Sequence, residues 1–494
     1  MQNRIMRKDR ALLIPGGLLL ALLLLGGCLE ERLIWSPDGS QAAVIAVADN
    51  DNSGTAGGGL YLCDADGHLS SLLVRDVYRA AWFGDSKRLA LARAREIRSS
   101  AELTTALGKQ LADAIAVKAE ITWRRLQAGE TLDQVGQENE AIKEGDILGE
   151  VLFLRERHGG ELEKLLGKDW KDVRDVPVQL HSLMLGTVNK GGITIGATYY
   201  EGLSEIKDIR PSPDGAAIAY TLGATTGGLR QSFAVPTDAS SPPVLVADQT
   251  ADHPDWTPDS RALVYLHGPS ASAGESEIRL GTLVRHTVLD ASGRIALAKD
   301  GEDLANVPFE DSDRVRCLRD GRIVFAARVL RLPSLKSNDD NREQLFAFSA
   351  QPQSAVVPLI PAERLAELPP SLDRFEISPD ERQVLFSPDN GEVYVLTLLS
   401  GEVEKIPGSL SSHGRYPAPA WRKPGEFTYS ARISAATGKA VVPPGAPARD
   451  AIILRRGQNE TVLTSDWTPE AIGRFLQDGS DNGAQISVQP AKKE

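Results

Sequence analysis

Four charged side chains in predicted strands that are otherwise apolar are the residues of this sequence best placed to support chemistry. They are Asp208, Arg210, Asp255 and Glu376, and each stands a few residues before a predicted turn. Enzymes and ligand-binding proteins gather polar and titratable groups around one opening. The four residues are therefore a candidate ligand site at the mouth of a channel if they converge, and not if they are dispersed.

Other arrangements of catalytic residues are missing from the sequence. It contains no His-Glu-x-x-His, no Cys-x-x-Cys, no P-loop and no dinucleotide-binding Gly-x-Gly-x-x-Gly at a strand–helix junction. The histidines do not fall at metal-ligand spacing. The segment 268–272 lacks the final glycine of a nucleophile elbow. We therefore predict no catalytic residues, no cofactor and no enzymatic activity.

The polar segment 49–54 contains a weak candidate for a calcium site. Asp49, Asp51 and Ser53 alternate in the way that oxygen ligands do in the first half of an EF-hand loop. The position that requires a bidentate Glu is Leu60, and no helices are predicted on either side. A solvated polar loop explains this segment better, so no metal site is predicted.

A phrase that repeats along the chain defines the elements that must position the four charged residues. A short apolar strand, a turn of the type Ser/Thr-Pro-Asp and a second apolar strand recur. Proline suits the second position of a β-turn, Asp tolerates the third, and Gly supplies a positive φ. Clear copies of the turn lie at 36–39, 212–215, 257–260 and 378–381, and weaker copies at 82–85, 318–321 and 421–425.

The repeat predicts an all-β fold, namely a β-propeller. Successive copies after residue 214 are roughly 45 to 60 residues apart, a period typical of blades with four strands. Seven blades are predicted, and six is the alternative if one weak copy is not a blade. The propeller is expected over residues 28–465, with a C-terminal helix and a polar tail at 466–494.

Residues 99–176 do not follow the phrase and predict a helical insertion within blade two. Ser99 and Glu102 are spaced as a capping box, and apolar residues follow at helical spacing to about Gln127. We expect a small helical hairpin that packs on itself or on the propeller. A partner-binding face is the alternative interpretation of its apolar stripe.

The N-terminus predicts a secretion signal over residues 1–27. Basic residues precede an apolar run at 11–25, which is too short for a stable transmembrane span. The run ends in Leu-Gly-Gly followed by Cys28, which resembles the lipobox of bacterial lipoproteins. That resemblance implies cleavage before Cys28 and its lipidation. We expect a chain anchored by lipid in the bacterial cell envelope, at the outer membrane and facing the periplasm.

The overall charge excludes one class of partner. The formal net charge is −12, and no basic stripe interrupts the acidic composition. Nucleic-acid binding requires a concentrated basic surface, so we predict no nucleic-acid partner. Contact with the membrane is expected through the lipid anchor at Cys28 and not through surface charge.

The Ser-Pro-Asp-Gly phrases at 36–39 and 212–215 and the Ser-Pro-Asp at 378–380 resemble the WD40-like repeats of the TolB family of periplasmic β-propellers. The resemblance extends over most of the chain and implies a propeller used for protein contacts in the cell envelope. The N-terminal α/β domain of that family is absent here, and the lipid anchor and the helical insertion are extra. A Tol–Pal role is therefore not implied.

Three functions compete for this chain. Our prediction is a non-catalytic scaffold that is anchored by lipid and contacts another envelope protein. The first alternative is a propeller that binds a small ligand or a glycan in its channel, and the second is a hydrolase or lyase built on channel residues. The placement of the four charged residues distinguishes the scaffold from both alternatives.

Overall fold

The structure is a computed structural model of the chain. The N-terminal signal, Cys28, the candidate calcium residues Asp49, Asp51 and Ser53, and nearly all of the predicted C-terminal helix and tail lie outside the residues it describes. These predictions therefore stay predictions. The described residues are 32–46, 58–131, 134–135, 145–174, 178–190, 192–223, 230–268, 279–309, 314–328, 342–349, 354–369, 372–388, 391–410, 416–434 and 448–468.

The chain divides into two compact units. The larger contains the described residues within 27–96 and 179–494, and the smaller contains those within 97–178. The larger unit is mostly β, with antiparallel pairing between neighbouring strands. The described part of the chain holds no helix with both the length and the apolar character that crossing a membrane demands.

The described strands of the larger unit fall into seven sets of four in which consecutive strands pair, and sets three and four are joined into one eight-stranded sheet where Thr250 pairs with His267. Set one contains β1 (Leu33–Trp35), β2 (Gln41–Ala46), β3 (Gly59–Asp64) and β4 (Val74–Arg75). Set two contains β5 (Val77–Trp82), β6 (Arg88–Ile97), β7 (Val178–Asn189) and β8 (Gly192–Gly202). Set three contains β9 (Glu205–Pro211), β10 (Ala217–Gly223), β11 (Arg230–Pro236) and β12 (Val244–Thr250).

The remaining sets repeat the same order. Set four contains β13 (Asp255–Trp256), β14 (Ala262–His267), β15 (Arg279–Thr287) and β16 (Glu302–Phe309). Set five contains β17 (Val315–Cys317), β18 (Arg322–Arg328), β19 (Glu343–Ser349) and β20 (Val356–Pro358). Set six contains β21 (Leu372–Ile377), β22 (Gln383–Pro388), β23 (Val393–Thr397) and β24 (Glu402–Ile406). Set seven contains β26 (Ala420–Lys423), β27 (Glu426–Ser434), β28 (Ala448–Arg456) and β29 (Asn459–Val462), and β25 (Ser409–Leu410) also pairs with β27.

The turn between the first two strands of a set has the same construction in the clear copies of the phrase. In set one the hydroxyl of Ser36 donates to Oδ1 of Asp38 at 2.6 Å, and the same Oδ1 accepts the backbone N–H of Ser40. The N–H of Gly39 donates to the carbonyl of Ser36 and closes the turn. The Asp carboxylate thus holds both sides of the turn, which is the physical reason for the repeated Ser/Thr-Pro-Asp.

The residue that follows the Asp of the turn adopts a positive φ, and so does the residue that follows Pro424, which takes the place of Asp in set seven. Gly is the residue that accepts this conformation without steric cost, and a side chain there is strained by roughly 1–2 kcal/mol. Three sets nevertheless place Ser or Glu at this position. The seven residues are Gly39, Ser86, Gly215, Ser260, Gly321, Glu381 and Gly425, with φ of 65°, 57°, 72°, 63°, 85°, 58° and 72°.

The non-glycine residues among these seven hold one set against the next. The Oγ of Ser86 accepts the backbone N–H of Asp38 in set one, and the Oγ of Ser260 accepts that of Asp214 in set three, both at 3.0 Å. Their side-chain oxygens therefore provide contacts that Gly cannot make. These hydrogen bonds offset the backbone strain.

The apolar core of the larger unit lies between strand sets. Each of seven clusters of buried side chains, among the described residues, draws on two consecutive sets or on the last and the first. The cluster shared by sets seven and one includes Trp35, Ile452 and Leu454. Trp35 also donates its Nε1–H to Thr428, and Arg422 donates to the carbonyl of Gly39.

The smaller unit is helical in its described part. Its helices are α1 (Ser100–Leu107), α2 (Lys109–Gln127), α3 (Gly145–Leu166) and α4 (Trp170–Arg174), with a 3₁₀ turn at Gly167–Asp169, while α5 (Ala362–Leu365) belongs to the larger unit. Ser99 caps α1 by accepting the N–H of Glu102. Helical spacing of apolar residues from Ser99 to Gln127 predicted one continuous helix, and this is wrong. The chain forms two helices there, divided at Gly108, where φ is +80°.

Candidate functional site

Each set has two residues, two positions apart, that lie in its first strand or just before it, and we call them the inner pair. They lie five and seven residues before the positive-φ residue of the turn, and alternate residues of a strand project to the same side. The inner pairs of sets one to seven are Arg32 and Ile34, Arg79 and Ala81, Asp208 and Arg210, His253 and Asp255, Arg314 and Arg316, Arg374 and Glu376, and Ala418 and Ala420.

Hydrogen bonds between neighbouring sets support this register. In sets two, four and seven, the Trp that follows the inner pair donates its Nε1–H to the carbonyl of the second inner-pair residue of the preceding set. In set one, Trp35 donates instead to Oγ1 of Thr428 in set seven. Trp82 donates to Ile34 at 2.9 Å, Trp256 to Arg210 at 2.8 Å and Trp421 to Glu376 at 3.0 Å. The inner pairs of neighbouring sets therefore lie at the same level.

Sets three to six carry charged or titratable residues at both positions of the inner pair, and these eight side chains make one network. Asp208 pairs with Arg210 in its own strand, Nε to Oδ2, at 3.0 Å. On its other side, Oδ1 of Asp208 lies 3.4 Å from Nδ1 of His253 in set four. Nε2 of His253 in turn lies 3.4 Å from Nη2 of Arg314 in set five.

Glu376 connects set five to set six. Its Oε1 accepts a hydrogen bond from Arg314 at 3.0 Å, from Arg374 at 3.2 Å and from Arg316 at 3.5 Å. A single carboxylate oxygen therefore faces three guanidinium groups. Such charge-assisted hydrogen bonds are the stronger ones in proteins, and Arg presents its donors in a planar fork that suits carboxylates.

Asp255 joins the same network from set four. Its Oδ2 accepts the backbone N–H of Cys317, at 2.9 Å, and it interacts electrostatically with Arg316 and Arg210. All four residues predicted from the sequence, Asp208, Arg210, Asp255 and Glu376, are thus members of one cluster. The described contacts bring these side chains together, and the ligand site at a channel mouth stays a prediction.

Burial shifts the pKa of two groups in the cluster, His253 and Asp255. Burial, reinforced by Arg314, lowers the pKa of His253 against the opposing effect of Asp208, so the imidazole is neutral near pH 7. Since Arg314 can only donate, it faces a lone pair on Nε2, and the imidazole proton lies on Nδ1 toward Asp208. Burial also raises the pKa of Asp255, against the effects of Arg316 and Arg210.

The cluster is reachable from solvent along one part of its edge. The side chains of Arg314 and Asp208 are buried, at 4% and 2% exposure, whereas Glu376 and Arg210 keep 25% and 22%. A cavity of about 680 Å³ also opens between sets four and five, and Cys317, the residue whose N–H binds Asp255, lines it. The inner-pair residues are not among those that line this cavity, so the access of solvent to the charged groups is the partial exposure of Glu376 and Arg210.

Four members of the cluster were missed in the sequence, namely His253, Arg314, Arg316 and Arg374. The signal that could have found them is an alternation of charged residues just before each turn. Asp-Ile-Arg, His-Pro-Asp, Arg-Val-Arg and Arg-Phe-Glu occupy the same place in four consecutive copies of the phrase. The copy at 318–321 is weak, which hid the arginines in front of it.

A second buried polar group lies between sets two and three. Tyr78 accepts the N–H of Ile206 at 2.9 Å, and its hydroxyl lies 3.2 Å from Nδ1 of His181. Burial lowers the pKa of His181 to about 4, so this imidazole is neutral. Glu205 is buried nearby and is paired with Lys207 at 2.8 Å. The buried charge here is balanced within the group.

Among the described residues, the carboxylate and imidazole groups close enough to share a metal ion are Asp64, Asp66 and His68. Asp64 is the last residue of β3, and Asp66 and His68 lie in the exposed turn that follows. Asp64 accepts the N–H groups of Asp66 and His68 and contacts the ring of His68 at 2.9 Å. The need to close a tight turn accounts for this arrangement.

No protein-family model matches the chain, and no curated protein matches its sequence. Solved structures are similar at the level of fold. Hydrazine synthase of Kuenenia stuttgartiensis is 10% identical over 85% of this chain and 97% of its own, with a TM-score of 0.44. Prolyl oligopeptidase B from Galerina marginata is 8% identical over 90% of this chain and 52% of its own, with a TM-score of 0.46.

An oligogalacturonate lyase solved in complex with manganese is 13% identical over 76% of this chain and 90% of its own, with a TM-score of 0.33. The chain spans about half the length of the prolyl oligopeptidase. At these identities and TM-scores the likenesses transfer no activity, substrate or metal to this chain. The resemblance to the TolB family stays a prediction, since no family model supports it.

The prediction of a non-catalytic scaffold without enzymatic activity is overturned. The four charged residues are gathered and not dispersed, which favours ligand binding or catalysis over a scaffold. The error arose because only four of the eight charged inner-pair residues of sets three to six were recognised, so the first strands looked mainly apolar.

Proposed function

We propose that this protein is a closed seven-bladed β-propeller that binds a small ligand at the charged inner pairs of sets three to six and acts on it by proton transfer. The seven strand sets, the seven positive-φ turn residues and the core shared by sets seven and one support the closed ring. The single observation that supports the function best is the continuous network through four consecutive sets.

The residues proposed for proton transfer are His253 and Asp255. A general acid or base works best when its pKa lies near the operating pH, and burial raises the pKa of Asp255 in that direction. Burial lowers the pKa of His253 and keeps its imidazole neutral, which is the form that accepts a proton. Asp208 orients the imidazole through Nδ1, and the arginines supply positive charge that stabilises a developing negative charge. This division of roles is typical of hydrolases and lyases.

Screening by thermal shift tests the proposal. A chemically diverse library with neutral, anionic and cationic members is applied to the wild-type protein and to Arg316→Met. Compounds that stabilise only the wild type are then incubated with the protein, and their masses are followed by mass spectrometry. We expect at least one compound to be bound and converted, because binding and proton-transfer groups lie in one cluster.

Asp255→Asn is the decisive variant, because it keeps the shape of the side chain and removes its titration. General acid–base groups contribute roughly 10²–10⁴-fold to rate, so turnover is expected to fall by about that factor while the ligand still binds. Asp320→Asn, in the exposed turn of set five, is the matched control and keeps wild-type turnover. Bound compounds that are never converted would contradict the enzymatic part of the proposal.

We also propose that Cys28 carries a lipid anchor in the bacterial cell envelope. The lipobox-like Leu-Gly-Gly-Cys at 25–28 supports this proposal. Metabolic labelling with an alkyne-bearing fatty acid is expected to mark the wild-type chain and not Cys28→Ser. Equal labelling of both chains would contradict it.

A further inference from the structure

We propose that helix α2 of the smaller unit is a self-association surface, on which a second copy of this chain docks in antiparallel orientation. Val117 and Ile121 form the apolar centre of the contact, and Asp113 of each copy pairs with Arg124 of the other. A second copy is the occupant because the charged and the apolar side chains of this helix face share one centre of symmetry. The inference does not depend on the inner-pair cluster.

One face of α2 is buried in the core of the smaller unit. Oγ1 of Thr122 donates to the buried Glu150 of α3 at 2.7 Å, and the ring of Trp123 stacks on that of His158 of α3, with 4.6 Å between the ring centroids. A helix whose apolar stripe is packed in this way normally presents polar residues on its opposite face. The buried residues of α2 are Ala112, Ile115, Ala116, Ala119, Thr122, Trp123 and Leu126.

The opposite face of α2 departs from that pattern at its middle. Val117 and Ile121 are 61% and 53% exposed, and they lie one turn apart on the side away from the buried residues. Branching at Cβ lowers the helix propensity of both residues, and neither is buried within its own chain to offset this. Ala114, also exposed, lies on the same face and leaves room for a close approach. Adjacent exposed apolar side chains of this kind mark a surface that a partner covers.

Two charges of opposite sign lie on either side of these apolar residues. Asp113 stands four residues before Val117, and Arg124 stands three residues after Ile121, so all four share one helix face. Both charged residues are exposed, and neither side chain forms an ion pair with another residue in the part of the chain that the structure describes. The face therefore has an acidic end, an apolar centre and a basic end.

The charged pair and the apolar pair have nearly the same centre. The midpoint of Asp113 and Arg124 lies between residues 118 and 119, and that of Val117 and Ile121 lies at residue 119. The two midpoints differ by half a residue, or about 0.8 Å of helix rise. A twofold axis through this point brings Val117 of each copy against Ile121 of the other and Asp113 against Arg124. A parallel copy would instead bring like charges together, which is unfavourable.

Sedimentation velocity of the full chain, from low micromolar to several hundred micromolar concentration, tests the proposal. One pair of helices makes a small interface, so we expect a reversible dimer whose fraction rises with concentration. Val117→Gln places a polar side chain at the apolar centre and should weaken dimerisation about tenfold or more. Leu399→Gln, the matched control, replaces a 99% exposed residue of the larger unit and should leave dimerisation unchanged.

Charge variants test the antiparallel arrangement. Asp113→Arg alone sets arginine against arginine at both ion pairs, and Arg124→Asp alone sets aspartate against aspartate, so each should weaken dimerisation about tenfold or more. An equal mixture of the two variants has opposite charges at both ion pairs again, and so does the chain that carries both changes. The mixture and the double variant should therefore dimerise as the wild type does. Circular dichroism checks that each variant keeps its helix content.

The outcomes decide between a second copy and another occupant. A wild-type chain that stays monomeric at every concentration overturns the proposal, even if the same helix face binds a different protein. Dimerisation that Val117→Gln does not weaken lies at another surface and also overturns it. If the single charge variants weaken dimerisation but neither their mixture nor the double variant restores it, the antiparallel contact is wrong.

Discussion

The inner pairs of strand sets three to six and those of sets seven, one and two lie on the same frame of strands and turns but differ in charge. Both regions have the same turn with a residue of positive φ in it, and both have a Trp-to-carbonyl contact, made by Trp256 in the first region and by Trp82 and Trp421 in the second. The second inner-pair residue is Arg210, Asp255, Arg316 or Glu376 in the first region, and Ile34, Ala81 or Ala420 in the second. The shared frame of strands and turns therefore does not require a charged residue at the second inner-pair position. The charged residues of sets three to six serve another purpose.

Replacing Glu376 by Ala should produce the largest loss of stability, because it breaks the charged region and leaves three arginines without their shared carboxylate. Removing one partner of a buried pair costs about 3–5 kcal/mol, and the partial exposure of Glu376 reduces this to about 2–4 kcal/mol. Urea denaturation measures the change. The equivalent residue of set seven is Ala420, so Ala itself suits the position.

A double-mutant cycle checks that the arginines cause this loss. In the background of Arg374→Met, Glu376→Ala should cost less than in the wild type, because one of the three opposed charges is gone. Glu367→Ala, which breaks an exposed pair with Arg364, is the control and should change stability by under about 0.5 kcal/mol. A cost equal in both backgrounds would mean that the loss comes from packing and not from charge.

Sets seven, one and two, whose second inner-pair residues are uncharged, contain the buried imidazole of His181. This imidazole should make the free energy of unfolding depend on pH. His181 has a pKa of about 4 in the folded protein against about 6.5 when unfolded. The unfolded chain therefore binds more protons between these values, so stability is complete above pH 6.5 and is lost as pH falls toward 4. The loss should amount to about 2–3 kcal/mol.

Replacing His181 by Gln should flatten this part of the pH profile, measured by urea denaturation at intervals between pH 7 and pH 4. The comparison with His267→Gln, which removes a half-buried histidine elsewhere, isolates the contribution of burial. Unchanged pH dependence in His181→Gln would show that this imidazole is not protonated on unfolding.

The Trp contacts should matter equally in both regions, because they belong to the shared frame. Trp82→Phe and Trp256→Phe each leave a backbone carbonyl, of Ile34 and Arg210, without its indole donor. An unsatisfied buried acceptor costs about 1–3 kcal/mol. The two variants should lose stability within about 1 kcal/mol of each other. A much larger loss for Trp256 would mean that this contact also supports the charged network.

The smallest effect is expected at the serines with positive φ. Ser86→Ala and Ser260→Ala remove the Oγ that accepts the N–H of Asp38 or Asp214. Water can replace this partner at the protein edge, so each change should cost about 0.5–1 kcal/mol. Thermal denaturation monitored by circular dichroism measures it. Ser86→Gly and Ser260→Gly relieve the backbone strain and should lose less stability than the Ala variants.

Local chemistry explains which parts of the fold could be predicted from the sequence. A turn of the type Ser-Pro-Asp-Gly is stabilised by contacts within five residues, so its sequence signal is complete in itself. The capping of α1 by Ser99 is equally local. The positive φ at Ser86, Ser260 and Glu381 could not be predicted from the local sequence. In the two serines the backbone strain is offset by a hydrogen bond to a residue of another strand set.

The sequence by itself determined the repeat, its turns and the identity of four charged residues in apolar strands. Only the tertiary structure decided that these residues meet, because Asp208 and Glu376 are joined through His253 and Arg314, which belong to other copies of the phrase. Contacts between residues far apart in the chain leave no local pattern. Packing of successive strand sets in register brings the inner pairs to one level, and the burial that results sets their protonation.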